Sequence, residues 1–179
     1  FGPFALSRAI GAIALDGRNV VLQDLELGFE HGSVQIAGQL PFQMNPFTLG
    51  PPTRSLELDI ASKGVELADF TNLLPRGSRL GGTLSGRVGV SGTAAAPHIN
   101  GGLELTDGAF VSPLETSPIA QAHGKVAFNG TTATVQELDA AAGSGHLSAA
   151  GQIAYAPSAG DLDYRFQVDA DHAVLDFPQ

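Results

Sequence analysis

The residues of this chain with the most chemical potential are its five histidines and eighteen carboxylates. A metal site built from them needs two ligands on one element, as in a His-x-x-x-His pair, or a tight cluster of His, Asp and Glu. His31, His98, His123, His146 and His172 are scattered instead, with no such pair and no flanking carboxylate at ligand spacing. Cysteine is absent, which excludes thiolate sites and disulfides. Gly143-Ser144-Gly145 lacks the spacing of a Gly-x-Ser-x-Gly nucleophile elbow and reads as a tight turn. Gly81-Gly82 and Gly86-Arg87-Val88-Gly89 match neither a dinucleotide fingerprint nor a Gly-Lys-Ser/Thr phosphate loop. Asn129-Gly130-Thr131 fits a glycosylation acceptor, and equally a hairpin turn flanked by Val126/Phe128 and Ala133/Val135. Asp161/Asp163 and Asp169/Asp171 alternate with apolar residues, as on a solvated strand face. No catalytic constellation, cofactor motif or metal set emerges, so the expectation is a protein that is not an enzyme.

Composition narrows the remaining classes. Charged residues make up 15% of the chain, against about 25% in ordinary soluble domains. The 23 glycines are roughly twice the usual share. The net charge of −9 speaks against nucleic acid, whose phosphates are held by clusters of Lys and Arg. The chain opens on Phe1 with no initiator Met or signal-peptide pattern, and is expected to be part of a longer protein. Its apolar runs are too short for a membrane-spanning helix.

Period-two alternation dominates, and successive strand side chains point to opposite faces. Leu84-Gly86-Val88-Val90, Ile99-Gly101-Leu103-Leu105, Leu147-Ala149-Gly151-Ile153 and Leu162-Tyr164-Phe166-Val168 each put apolar or small residues on one side. Val34-Ile36-Gly38-Leu40-Phe42 and Leu56-Leu58-Ile60 do the same. Turns are expected at Asp16-Gly17, His31-Gly32, Asp107-Gly108, Asn129-Gly130 and Gly143-Ser144-Gly145. Irregular proline-rich excursions are expected over Pro41 to Pro52 and Pro113 to Pro118. Leu67, Phe70 and Leu73/Leu74 stand at helical spacing, with Pro75 and Gly77 as a stop, and predict one short amphipathic helix near 65–74. Ala173-Val174-Leu175-Asp176-Phe177 looks like a shortened echo of its start.

One stretch occurs twice. Val21 to Leu40 aligns without a gap on Thr134 to Ile153 at a constant shift of 113 residues, Gln136 falling on Gln23 and Gly151 on Gly38. Gln23, Leu25, Gly32, Ala37, Gly38 and Gln39 find identical partners. Such self-similarity marks arrays of supersecondary units. We read 1–179 as one elongated β domain of about one and a half units, with a boundary near 76–82.

The functional signal is the apolar side of the strands. A lipid-facing barrel would need aromatic girdles, yet Trp is absent and Tyr155 and Tyr164 are the only tyrosines. The expected fold is mostly β: an elongated, curved, incompletely closed sheet with an apolar groove. Its floor candidates are Ile36, Leu40, Leu58, Ile60, Leu84, Val88, Val90, Ile99, Leu103, Leu105, Val126, Phe128, Leu147, Ile153, Leu162, Phe166 and Val168. Two alternatives remain open: a β-helix or sandwich segment of a secreted adhesin with a filled core, and a carbohydrate-active β-helix.

Leu80-Gly81-Gly82-Thr83-Leu84-Ser85-Gly86-Arg87-Val88-Gly89-Val90-Ser91-Gly92-Thr93, followed by Ala96-Pro97-His98-Ile99-Asn100-Gly101-Gly102-Leu103-Glu104-Leu105-Thr106-Asp107-Gly108, resembles the repeat of TamB and related AsmA-like proteins. The strand-then-helix element at Leu56 to Leu74 and the strand at Gly143 to Gly151 fit the same family, so the similarity covers most of the chain. The resemblance implies a β-taco, a U-shaped sheet with a hydrophobic groove. It implies a protein anchored in the inner membrane of diderm bacteria that crosses the periplasm and conducts phospholipid toward the outer membrane. It implies phospholipid and adjoining repeats of the same chain as partners, and for some members a TamA-like outer-membrane protein of the Omp85 type. It carries over no cofactor and no catalytic residue.

Overall fold

The computed structural model describes residues 6–44, 47–113, 118–156 and 161–173. Within them the alternating segments form eleven strands: β1 (Arg8–Asp16), β2 (Asn19–Gly28), β3 (Ser33–Met44), β4 (Phe47–Leu49), β5 (Ser55–Glu66), β6 (Arg79–Thr93), β7 (Ala96–Val111), β8 (Ile119–Gly130), β9 (Thr132–Ala142), β10 (Gly145–Ala156) and β11 (Asp161–Asp171). Ten of them make one antiparallel sheet in chain order, and β4 hangs from β3. The sheet does not close into a barrel; β1 and β11 are its edges. A mostly β, incompletely closed sheet with one short helix is therefore both the expected and the observed class.

The expected short helix is present and is of the 3₁₀ type. Leu67–Leu73 is a 3₁₀ helix, and it begins after Val65 and Glu66 because these still pair with Leu84 and Thr83 across β5 and β6. Side chains three apart eclipse one another in a 3₁₀ turn, so the Leu67, Phe70, Leu73 spacing suits it better than an α-helix. Phe70 packs on Phe29 with ring centroids 5.3 Å apart at 53°, and the Thr71 hydroxyl accepts a hydrogen bond from the Leu80 N–H at 3.2 Å. The echo expected at Ala173 to Phe177 lies, beyond Ala173, outside the described residues, as does most of Pro113 to Pro118.

Two expected irregular sites are ordered. Pro41 and Phe42 are buried, and the excursion after them folds back as β4, with Phe42 opposite Leu49. Asp107-Gly108 is a bulge inside β7, not a turn: Asp107 takes φ 52° while Leu105 pairs Gly124 and Gly108 pairs Ala122.

The repeat is structural as well as sequential. A shift of 113 carries Asn19 onto Thr132, the first residues of β2 and β9. Both hairpins before them close identically, Asp16 opposite Asn19 and Asn129 opposite Thr132, with Gly17 at φ 60° and Gly130 at φ 66°. Both keep the same cross-connection: the Phe42 N–H donates to the Arg18 carbonyl at 2.8 Å, and the Tyr155 N–H to the Thr131 carbonyl at 2.9 Å. Even the register slip recurs, between Leu22 and Leu25 in β2 and between Val135 and Leu138 in β9. Through 76–82 the sheet is continuous, β6 pairing β5 on one side and β7 on the other.

Gly38 and its equivalent Gly151 sit where neighbouring backbones crowd in. Gly38 has φ 127°, and a Cβ there would lie 2.2 Å from the Glu57 carbonyl oxygen. Gly38→Ala is expected to cost roughly 2–4 kcal/mol of unfolding free energy by urea denaturation. Gly17→Ala, in open space at φ 60°, should cost only about 1–2 kcal/mol. Equal losses would mean that strand contact at Gly38 is not what demands glycine.

Candidate functional site

Cross-strand partners share a face, so the registers decide which side chains meet. One row runs Leu25, Ile36, Ile60, Val88, Gly101, Phe128, Ala133, Ile153, Tyr164 through nine strands without a polar residue. On the helix side lies Gly86, Leu103, Val126, Val135, Gly151, Phe166, and beyond it Val65, Leu84, Leu105, Gly124, Leu138, Ala149, Val168. On the other side run Leu22, Gly38, Leu58, Val90, Ile99. Leu40 pairs Val20, Leu147 pairs Ala140 and Ala170, and Leu162 pairs Tyr155. All seventeen floor candidates thus occupy one face of one sheet.

The opposite face carries the charge. Asp59, Arg87, Glu104 and Lys125 are exposed there, with ion pairs Arg87–Asp59 at 3.5 Å and Lys125–Glu104 at 3.2 Å. Exposed pairs of this kind contribute little to stability, but they keep this side wet and fix which side stays apolar.

Among the described residues nothing seals the apolar face. The buried apolar side chains among them are Phe42, Val65, Ala122, Ala140 and Ala142, with the prolines Pro41 and Pro51. Those on the apolar face cluster toward its two ends, while the central rows are half-buried. Toward the β11 edge exposure rises, with Phe166 at 43%, Leu162 at 64% and Tyr164 at 73%. The accessible surface is 11287 Å² for 18.3 kDa, where a compact monomer of that mass exposes about 8,100 Å². A packed sandwich would bury these rows.

Sequence reasoning missed the contributions of β2 and β9. Val20, Leu22, Leu25 and Leu27, with Val135 and Leu138, lie on the same face. Their alternation is broken by the bulges at Gln23-Asp24 and Gln136-Glu137, which move the following residues into phase. That the same break occurs in both copies is the signal that reveals it.

The histidines also acquire partners that spacing hid. His31 lies 3.3 Å from Glu66, His123 3.6 Å from Asp107, and His146 3.2 Å from Asp139. His31 reaches Glu66 from the β2–β3 turn, and the other two pairs form between neighbouring strands. Among the described residues no group of three or more His, Asp or Glu side chains is arranged to hold a metal ion. A hollow of about 330 Å³ on the polar face, lined by Glu137, Asp139, Gln167 and Asp169 among others, is a solvated acidic surface.

These features define an open, single-layer β protein built on a repeated unit, with one wet face and one oily one. Comparison with protein-family models, curated proteins and solved structures finds no match in any of the three.

Exposed apolar surface of this extent binds amphiphilic dyes. The native chain is expected to enhance 8-anilinonaphthalene sulfonate fluorescence, and Val126→Asp to reduce that severalfold. Lys125→Ala, one residue away on the wet face, should leave dye binding unchanged and alter stability by less than about 1 kcal/mol. Equal effects of the two changes would contradict the division of faces.

Proposed function

We propose that this chain is a segment of a TamB-like bridge that lies in the periplasm, within a protein anchored in the inner membrane, and passes phospholipid acyl chains toward the outer membrane. The observation that carries the reading is the unbroken, half-exposed apolar face spanning all ten sheet strands. An acyl chain laid on that face leaves water at a gain of about 0.8 kcal/mol per methylene. Its head group stays beyond the rim in solvent.

The mechanism is passive and needs no covalent step. Successive rows offer nearly equivalent aliphatic surface, so a chain moving from one row to the next exchanges like contacts for like. Gly101 and Gly151 interrupt the larger side chains and keep the surface low between Val88 and Phe128, and between Val135 and Phe166. Adjoining repeats of the same chain would extend the track, and a TamA-like protein of the Omp85 type is the partner the family resemblance suggests at the outer membrane. Among the described residues no helix is long and apolar enough to cross a membrane. The adhesin alternative needs a filled interior, which so few buried side chains do not support.

Phospholipid is expected in the mass spectrum of the purified protein. A photoreactive residue at Leu103 or Phe166 should capture it, whereas one at Glu104 or Arg165 on the wet face should not. A lipid-free protein that yields no crosslink at Leu103 or Phe166 would sink the transport reading.

A further inference from the structure

We infer that the β1–β2 turn and the start of β5 form a phosphate-binding site built on Arg18 and Arg54. The two arginines line one hollow of about 480 Å³ with Gly17, Phe42, Gln43 and Met44, a size within the range of small-molecule sites. Arg54 is fixed in place: its Nη1 donates to the carbonyl oxygens of Arg18 and Phe42, both at 3.1 Å, and its Nη2 to Asn19 Oδ1 at 3.4 Å. These acceptors are uncharged and do not exhaust the N–H donors of a guanidinium. Among the described residues neither Arg18 nor Arg54 makes an ion pair, not even with Asp16 in the same hairpin. Arg87 and Lys125, by contrast, are matched to carboxylates. Two arginines without carboxylate partners lining one hollow, in a chain of net charge −9, suit an anion that accepts several hydrogen bonds at once, and phosphate oxygens do so in bidentate fashion.

The second unit shows that the fold does not require these charges. Its equivalent hollow, about 140 Å³, is lined by Gly130, Thr131 and Tyr155 together with Ile99, Phe128 and Ile153. Thr131 stands where Arg18 does, and the same backbone hydrogen bond closes the turn. The basic character therefore belongs to the first unit's site and not to the scaffold. Leu15, Val20 and Leu40 lie in register beside the arginines on the apolar face, and Met44 is 74% exposed at the hollow. A phosphate carrying an aliphatic tail could engage both surfaces. The phosphate chemistry stands alone; its source as a lipid head group rests on the transport reading.

The test is a ¹H–¹⁵N NMR titration with three probes: inorganic phosphate, monomeric dihexanoyl-phosphatidylglycerol, and octyl glucoside as an uncharged amphiphile. Both phosphate probes are expected to shift the amides of Gly17, Asn19 and Gln43, and Arg18→Thr to weaken both by about tenfold. Arg54→Gln should share the loss, but Arg54 also ties three acceptors, so Arg18→Thr, which installs the second unit's residue, carries the decision. Tighter binding of the phosphatidylglycerol than of phosphate assigns a lipid head group. Equal binding assigns a soluble anion and leaves the crosslinking test of the groove untouched. The proposal is overturned if octyl glucoside shifts the same amides as strongly, if Arg18→Thr changes nothing, or if Arg165→Thr on β11 weakens phosphate as much, since net charge alone would then explain binding.

Discussion

A single β-sheet has two faces and one register, and the constraint governing this molecule is that the register stays in phase from one edge to the other. Strand side chains alternate with a period of two, so one uncompensated slip would send every later apolar residue to the wrong side. The chain slips repeatedly, yet the apolar rows hold. Where β2 gains a residue between Leu22 and Leu25, β1 passes from Ile10 to Ala12, and Leu22 and Leu25 still face Gly38 and Ile36. Between Leu105 and Gly108 the same correction occurs against Gly124 and Ala122. The bulges rephase the strands and, by their added twist, bend them.

Phase coherence explains why so little of the molecule resembles an ordinary core. A globular domain hides its apolar face beneath a second layer. Here the 3₁₀ helix packs near one end of the sheet and β4 folds back at the other, and among the described residues no second layer buries the middle. The interactions holding the sheet together are chiefly the backbone ladder and cross-strand side-chain pairs, and at Gly38, Gly86 and Gly101 glycine lets neighbouring backbones approach.

Much of this was legible in the residues. Alternation in β6, β7, β10 and β11 announced both strand and face, because Leu84–Val90, Ile99–Leu105, Leu147–Ile153 and Leu162–Val168 contain no inserted residue. The helix was readable from Leu67, Phe70 and Leu73, whose spacing of three residues suits the observed 3₁₀ turn. Less legible were β1 and β2, where Gly11 and Asp24 interrupt the period, and Asp107-Gly108, whose turn-like composition serves a bulge. The His–carboxylate pairs were invisible, since His146 and Asp139 meet only through the β9–β10 hairpin. The arginine hollow was equally hidden: Arg18 and Arg54 are 36 residues apart, and the folded-back β3–β4 segment is what brings them together.

The identical closure of the β1–β2 and β8–β9 hairpins has a metric consequence. Six inter-strand steps separate β1 from β8, and each step advances the ribbon by about 4.8 Å. One unit therefore measures about 29 Å across the strands. Such a module behaves as a ruler: its reach grows by a fixed increment with each copy, whatever the identity of the side chains it carries.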